Sequence, residues 1–493
     1  MRSRKLTLLV SLAGAASLLA GFNLNAHAVT DPEDRTAPKG AFGFVTQGLG
    51  QTTNYGEPSL AIAPDGRHIV ASTPGGGGVQ VWYSSDGAKT FDRSSTTSSS
   101  GGGDSELDFL PDGTLLSADL EVHDSNIKIS HDFGKTWDQG RAAGMEQDRQ
   151  WFAHSPDGKT QYLVYHDFAA EAEVISKSTD GGKTWTHSPA DQIFVTGPDQ
   201  VAAPGLLSSP GQGGGDPVSL VDQGVNTFSG PLLADNNGKD LYVIYSVSDA
   251  QTNLDPRGGV PPYGPVRALV VAHSSDSGKT WRNTYAFHTP SNPDSTKETA
   301  AGTFFPWGFL DQKGTIYLDF NSNLGNEGTD KFHHYYIYSA DKGAHWSKPI
   351  KIDTLPLHSM GAAVYNTGAA VKPGVIDLAW YQSSTGTLSQ NSGVYRPFFA
   401  QVTHADTPHP VIKVQRVTDI PNHRGGVCVQ GIMCGIAPGS GDRSLLDFFE
   451  LAINPKNGLA VIAYADNNRL TPAGSATKRG EVVIATQTKQ PRF

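Results

Sequence analysis

Cysteine is nearly absent from this chain, with two among 493 residues, and both sit in one glycine-rich loop, GGVCVQGIMCGIAPGSG. That loop offers no further ligand types around Cys428 and Cys434, so it does not read as a metal site. Positive charge is also short, with 38 Lys and Arg against 48 Asp and Glu. A formal net charge of −10 argues against nucleic acid or an anionic membrane as the main partner. Long apolar runs are missing beyond the N-terminus. No membrane association is therefore expected once that segment is removed, and the many glycines with few charges point to a soluble, β-rich chain.

The one apolar run lies in Met1 to Ala28: Arg2, Arg4 and Lys5, then Leu6 to Ala20, then Ala26-His27-Ala28. This order reads as a secretory signal with its cleavage site, placing the mature chain outside the cell or in the periplasm. Removing the three basic residues takes the charge from −10 to −13. In an oxidising compartment Cys428 and Cys434 are expected to form a disulfide. Residues 29–39 read as a flexible N-terminus and 40–493 as one domain, expected to be monomeric.

What the chain does have is repetition. One octapeptide occurs five times, as SSDGAKTF (Ser84 to Phe91), SHDFGKTW (Ser130 to Trp137), STDGGKTW (Ser178 to Trp185), SSDSGKTW (Ser274 to Trp281) and SADKGAHW (Ser339 to Trp346). Each copy follows a β-rich run and precedes a short extended one, so it reads as a hairpin turn. Its Asp can accept backbone N–H groups a few residues on, Gly supplies a left-handed position, and the closing aromatic folds back over the hairpin. Copy one has Ala88 at a glycine position and copy five has His345 at a threonine position.

The octapeptide resembles the Asp-box of sialidase-like β-propellers (bacterial neuraminidase repeats). The resemblance implies an all-β ring of four-stranded antiparallel blades. Counting strand runs outward from each box gives seven blades, two of them without a box, with the six of sialidases as the alternative. AFGFVTQG at Ala41 to Gly48 is a spare strand, while the last blade lacks its fourth. The N-terminal strand is thus predicted to close the ring, which removes exposed edges.

In such a ring the boxes lie on the face opposite the starts of the first strands, so the repeated Asp residues read as structural. The expected functional face gathers Glu57, the pair Asp148-Arg149, Tyr165-His166-Asp167, Arg267, Trp307 and the pair Asp442-Arg443. Asp148, Tyr165, His166, Asp167 and Asp442 are the catalytic candidates. Arg149, Arg443, Arg267, Glu57 and Trp307 are the candidates for binding substrate, an arginine fork being suited to a carboxylate. The alternative for each Asp-Arg pair is that it staples its strand start to the next blade.

Sialidases bind a carboxylated sugar with arginines, one of them in an Arg-Ile-Pro motif; the corresponding region here holds Glu57-Pro58. Three functions stay open. The first is a glycoside hydrolase acting on an acidic or terminal sugar. The second is a polysaccharide lyase cleaving uronic-acid chains by β-elimination, and the third is a non-catalytic propeller binding glycan or protein. The sequence requires no cofactor and is compatible with a divalent cation.

Overall fold

The structure is a computed structural model. It describes residues 41–51, 56–74, 78–95, 103–121, 125–138, 141–142, 147–167, 172–186, 192–193, 225–250, 263–289, 299–303, 305–354, 361–429, 434, 442–472, 475 and 479–490. The expected signal segment and flexible N-terminus lie outside the described residues.

Seven antiparallel sheets form the blades of a β-propeller. Their first strands are Ser59–Ile62, Ser105–Phe109, Gln147–His154, Val225–Ala234, Trp307–Leu310, Ala363–Lys372 and Glu450–Ile453. These are neighbours in that order, and the seventh returns to the first, closing the ring. The N-terminal strand Phe44–Gln51 pairs with Glu481–Gln487 as the fourth strand of blade seven, from Phe44 beside Gln487 to Gln51 beside Glu481. The predicted closure is therefore present.

Blades adhere through apolar side chains alternating off the strands. Leu116, Ala118, Ile127 and Ile129 of blade two meet Phe152, Leu163 and Val174 of blade three. Each such leucine or phenylalanine contributes about 1.5–3 kcal/mol on burial. Register fixes the two faces. In blade three Gln147 lies beside Asp167, and Asp167 beside Ala172, at one rim; His154, Gln161 and Ser178 lie together at the other. The first strands therefore start on the face opposite the boxes.

Box chemistry is local. Asp180 accepts the backbone N–H groups of Lys183 and Thr184 at 3.0 and 2.9 Å and the hydroxyl of Thr184 at 2.6 Å. In the fifth box the His345 ring takes the place of that hydroxyl, 2.7 Å from Asp341. Two successive residues after each box Asp are placed for left-handed backbone, and at the second of them Ala88 holds φ 65° where Gly134, Gly182, Gly278 and Gly343 serve elsewhere. A Cβ there costs about 1 kcal/mol. Ala88→Gly is expected to raise stability by about 1 kcal/mol less the added chain entropy, read as a higher denaturant midpoint. A lower midpoint would contradict that account of the turn.

Blade six buries an acid with little to hold its charge. Asp377 accepts one hydrogen bond, from Gln401 Nε2 at 2.9 Å, and its Oδ2 has no partner among the described residues. Burial pushes its carboxyl up to about 8. An unfolded Asp loses its proton near pH 4, so between pH 4 and 8 the folded chain keeps a proton the unfolded chain releases. Stability from this group therefore falls as pH rises. Asp377→Asn is expected to raise the unfolding free energy at pH 7 by about 2 kcal/mol, at roughly 1.4 kcal/mol per pH unit less the cost of an unpaired amide. At pH 4 the gain should vanish; equal shifts at both values would refute the titration.

Candidate functional site

The starts of the first strands converge on the ring axis, and two polar layers form there. The deeper one centres on Arg149, whose side chain is 1% exposed. Its Nη2 lies 3.0 Å from Glu106 Oε2 and 3.8 Å from Glu450 Oε1, and its Nη1 donates to the Ser105 carbonyl at 3.1 Å. Trp151 and Phe448 flank the guanidinium, with ring centroids 3.5 and 3.8 Å from its carbon. Ser59 Oγ bridges the two carboxylates, 3.4 Å from Glu106 and 3.1 Å from Glu450. Burial and the charge of Glu450 push Glu106 well up. Burial raises Glu450 as well, against the charge of Arg149, so the two carboxyls favour holding a proton opposite the one cation, and this buried layer is the floor of the site.

The upper layer stands nearer the rim because its residues precede those of the floor along the same strands. Glu57 lies two residues before Ser59, Asp104 two before Glu106, and Asp447 three before Glu450. Glu57 Oε1 accepts the Asp447 N–H at 3.0 Å, and Arg443 Nη2 donates to the Asp447 carboxylate. Tyr365 faces the same group from blade six and donates its hydroxyl to the Cys428 carbonyl at 3.2 Å. Burial, then the charges of Asp104 and Asp447, push Glu57 well above the usual carboxylate range. Burial raises Asp447 against the opposing charge of Arg443, and it pushes the Tyr365 phenol up as well. Glu57 is 3% exposed, whereas the Arg443 side chain is 27% exposed and Asp104 is half-buried. The layer therefore meets solvent through Asp104 and Arg443.

Strained backbone builds this layer. Glu57 (φ 50°), Tyr365 (φ 48°) and Leu446 (φ 56°) all hold left-handed conformations that side chains disfavour. A Cβ on Gly56 would fall 2.3 Å from Leu446 Cγ, so glycine is what lets the starts of blades one and seven approach.

Of the sequence candidates, Glu57 and Arg443 come together. Asp442 is beside them in the chain, but its Oδ1 accepts the Ser444 N–H at 2.7 Å and its carbonyl accepts the Cys428 N–H at 3.1 Å. Arg149 lies in the floor, because its aliphatic length carries the guanidinium between two aromatic rings rather than toward the rim. Tyr165 points into the contact between blades two and three, its hydroxyl 3.4 Å from Ser176 Oγ. Trp307 is buried edge-on against Trp151 and donates to the Gly368 carbonyl at 2.8 Å. Arg267 is buried in blade four. The side chains of Asp148, His166 and Asp167 lie outside the described residues; on the backbone Asp148 pairs with His166 and Gln147 with Asp167. Cys428 and Cys434 form the expected disulfide. Among the described residues no group of three or more His, Cys, Asp or Glu is set to hold a metal ion, and no helix is long and apolar enough to cross a membrane.

Sequence reasoning missed Asp104, Asp447 and Tyr365 as members of the site. Asp447 carried one usable signal, since it follows Arg443 by four residues at a strand start. Tyr365 carried none, because only its bulge in strand Ala363–Lys372 turns it toward the axis.

The sequence matches no protein-family model and no curated protein. Solved structures do resemble the chain. A polysaccharide lyase of a new family, an ulvan lyase bound to -[GlcA(1-4)Rha3S]-, aligns with TM-score 0.52 at 11% identity over 89% of this chain and 95% of that one. A Hadza microbial sialidase aligns at 0.42 and 13% over 85% and 73%, and a Penicillium chrysogenum α-L-arabinanase complexed with arabinobiose at 0.40 and 15% over 77% and 92%. At 11% identity the likeness to the lyase shows the fold alone.

Proposed function

We propose that this chain is an exported carbohydrate-active enzyme, a sialidase-like glycoside hydrolase acting on an acidic or terminal sugar, with Glu57, Asp104, Arg443 and Asp447 as its working groups. The observation that carries the reading is a buried Glu57 held among carboxylates from two other blades, an environment that pushes its carboxyl up. Hydrolysis of a glycosidic bond needs one carboxyl that keeps its proton and a second that is free to act as base or nucleophile. Glu57 fills the first role and Asp104, the more open carboxylate, the second. The Arg443 side chain is 27% exposed at the rim, where its guanidinium can meet a sugar carboxylate.

The likeness to a lyase bound to a saccharide containing GlcA keeps β-elimination as the competing reading. That chemistry needs a base beside the sugar carboxylate, and burial disfavours the phenolate of Tyr365, whose hydroxyl is already donated to the Cys428 carbonyl. A panel of acidic glycans separates the readings. New reducing ends without ultraviolet absorbance support the hydrolase, while an absorbing unsaturated product identifies a lyase. Binding with neither product leaves a glycan-binding propeller. Arg443→Ala should abolish whichever turnover is found; full activity in that variant would remove this site from consideration.

A further inference from the structure

The disulfide touches the upper layer at two points. Tyr365 hangs from the carbonyl of Cys428 itself, through its hydroxyl at 3.2 Å. Arg443 hangs from the same short segment through its neighbour: the Cys428 N–H donates to the Asp442 carbonyl at 3.1 Å, the Asp442 N–H to the Gly426 carbonyl at 3.4 Å, and Val427 and Asp442 form a parallel bridge. The segment is tied to blade six by the Val427 N–H, which donates to the Leu388 carbonyl at 2.9 Å. From Arg443 the path runs on to the catalytic candidates. Its carbonyl accepts the Leu446 N–H at 2.9 Å, its Nη2 reaches Asp447, and the Asp447 N–H donates to Glu57 at 3.0 Å.

We infer that the Cys428–Cys434 bond is a positioning clamp for Arg443 and Tyr365, so that the Glu57 layer is assembled only while the bond is closed. The inference rests on reading that layer as the functional site. Cys428 carries the Tyr365 contact and one of the two Asp442 contacts, and it is one end of a crosslink spanning a sequence separation of 6, which limits its freedom; both cysteines are buried. Two backbone hydrogen bonds, which together make the parallel bridge of Val427 with Asp442, hold Asp442 to residues 426–428. A dithiol opens the clamp by thiol–disulfide exchange. One thiolate attacks a bridge sulfur, the second thiol displaces the mixed disulfide, and the chain gains two electrons and two protons as two thiols while the reagent leaves as a cyclic disulfide. The redox state of the compartment thereby sets whether the site is competent.

The test is amide hydrogen exchange, resolved to single residues, on the full chain before and after dithiothreitol. Reduction is expected to speed exchange at Cys428, Asp442, Leu446 and Asp447 by about tenfold or more, with Val164 and Leu378 in the strands of blades three and six unchanged, and reoxidation should reverse it. Unaltered protection at Leu446 and Asp447 overturns the inference. So does a general loss that includes Val164 and Leu378, which would make the bond a staple of the whole fold. Turnover of any glycan the oxidised chain cleaves should fall about tenfold or more on reduction; exchange that speeds up while turnover stays constant also overturns it. If Arg443→Ala leaves turnover intact, the reading of the site fails, and the exchange pattern still decides the clamp.

Discussion

Arg149→Ala should lower the unfolding free energy by about 3–5 kcal/mol, the cost typical of removing one partner from a buried ion pair. Three losses coincide at this side chain. Glu106 and Glu450 lose the cation opposite them, so the pair must take up a further proton or face each other as like charges. Trp151 and Phe448 lose a guanidinium lying 3.5 and 3.8 Å from their ring centres, and a cavity opens between them. The Ser105 carbonyl loses its donor. Because all three act on the starts of blades two, three and seven, the ring should loosen where its first strands meet. Denaturant unfolding at pH 7 measures the effect. The charge argument predicts a rescue: Arg149→Met combined with Glu106→Gln and Glu450→Gln should recover most of the loss, since neutral side chains of similar volume replace buried ions at little cost. A single Arg149→Ala change of under about 1 kcal/mol would show that the floor is not held by this cation.

The propeller was legible because its information is local. Each box encodes its own turn through an Asp four residues before the backbone N–H it accepts, and strand rhythm between boxes gives the blades. The closing strand was legible by counting, since Ala41 to Gly48 had no partner and blade seven had a gap. The bound of that strand shifted to Phe44–Gln51 because pairing with Glu481–Gln487, and not apolar pattern, sets it. The site was legible only in part. Asp148-Arg149 and Asp442-Arg443 look alike in sequence, yet Arg149 fills the floor and Arg443 reaches the rim. What separates them is nonlocal: Trp151 follows Arg149 and Phe448 comes from blade seven to flank its guanidinium, whereas Asp447, four residues on, draws Arg443 outward. Left-handed backbone at Glu57, Tyr365 and Leu446 is likewise invisible in residue type, since none of these is a glycine.

Glu57→Gln should reduce kcat by about 10²–10⁴-fold, the range expected on loss of a general acid. The substitution isolates the proton. Glutamine keeps an oxygen to accept the Asp447 N–H that Glu57 Oε1 now takes at 3.0 Å, so the strand start is retained. KM should change little, because Arg443 rather than Glu57 is assigned to the substrate carboxylate. The pH profile supplies the sharper test. Burial and the charges of Asp104 and Asp447 hold Glu57 protonated well above the usual range of a glutamic acid, so wild-type turnover should persist through mildly acidic pH and fall as pH rises through the Glu57 titration. In the amide variant that alkaline limb should disappear from the residual activity, there being no proton left to lose. The same shift gives a stability signature of matching sign. The folded chain keeps a proton that the unfolded one begins to release near pH 4.5, so stability contributed by Glu57 declines with rising pH, and Glu57→Gln should flatten that decline. A variant that retained more than about a tenth of wild-type kcat with its alkaline limb intact would move the acid role away from Glu57, and Asp447, the other carboxyl that burial raises, would be next to test.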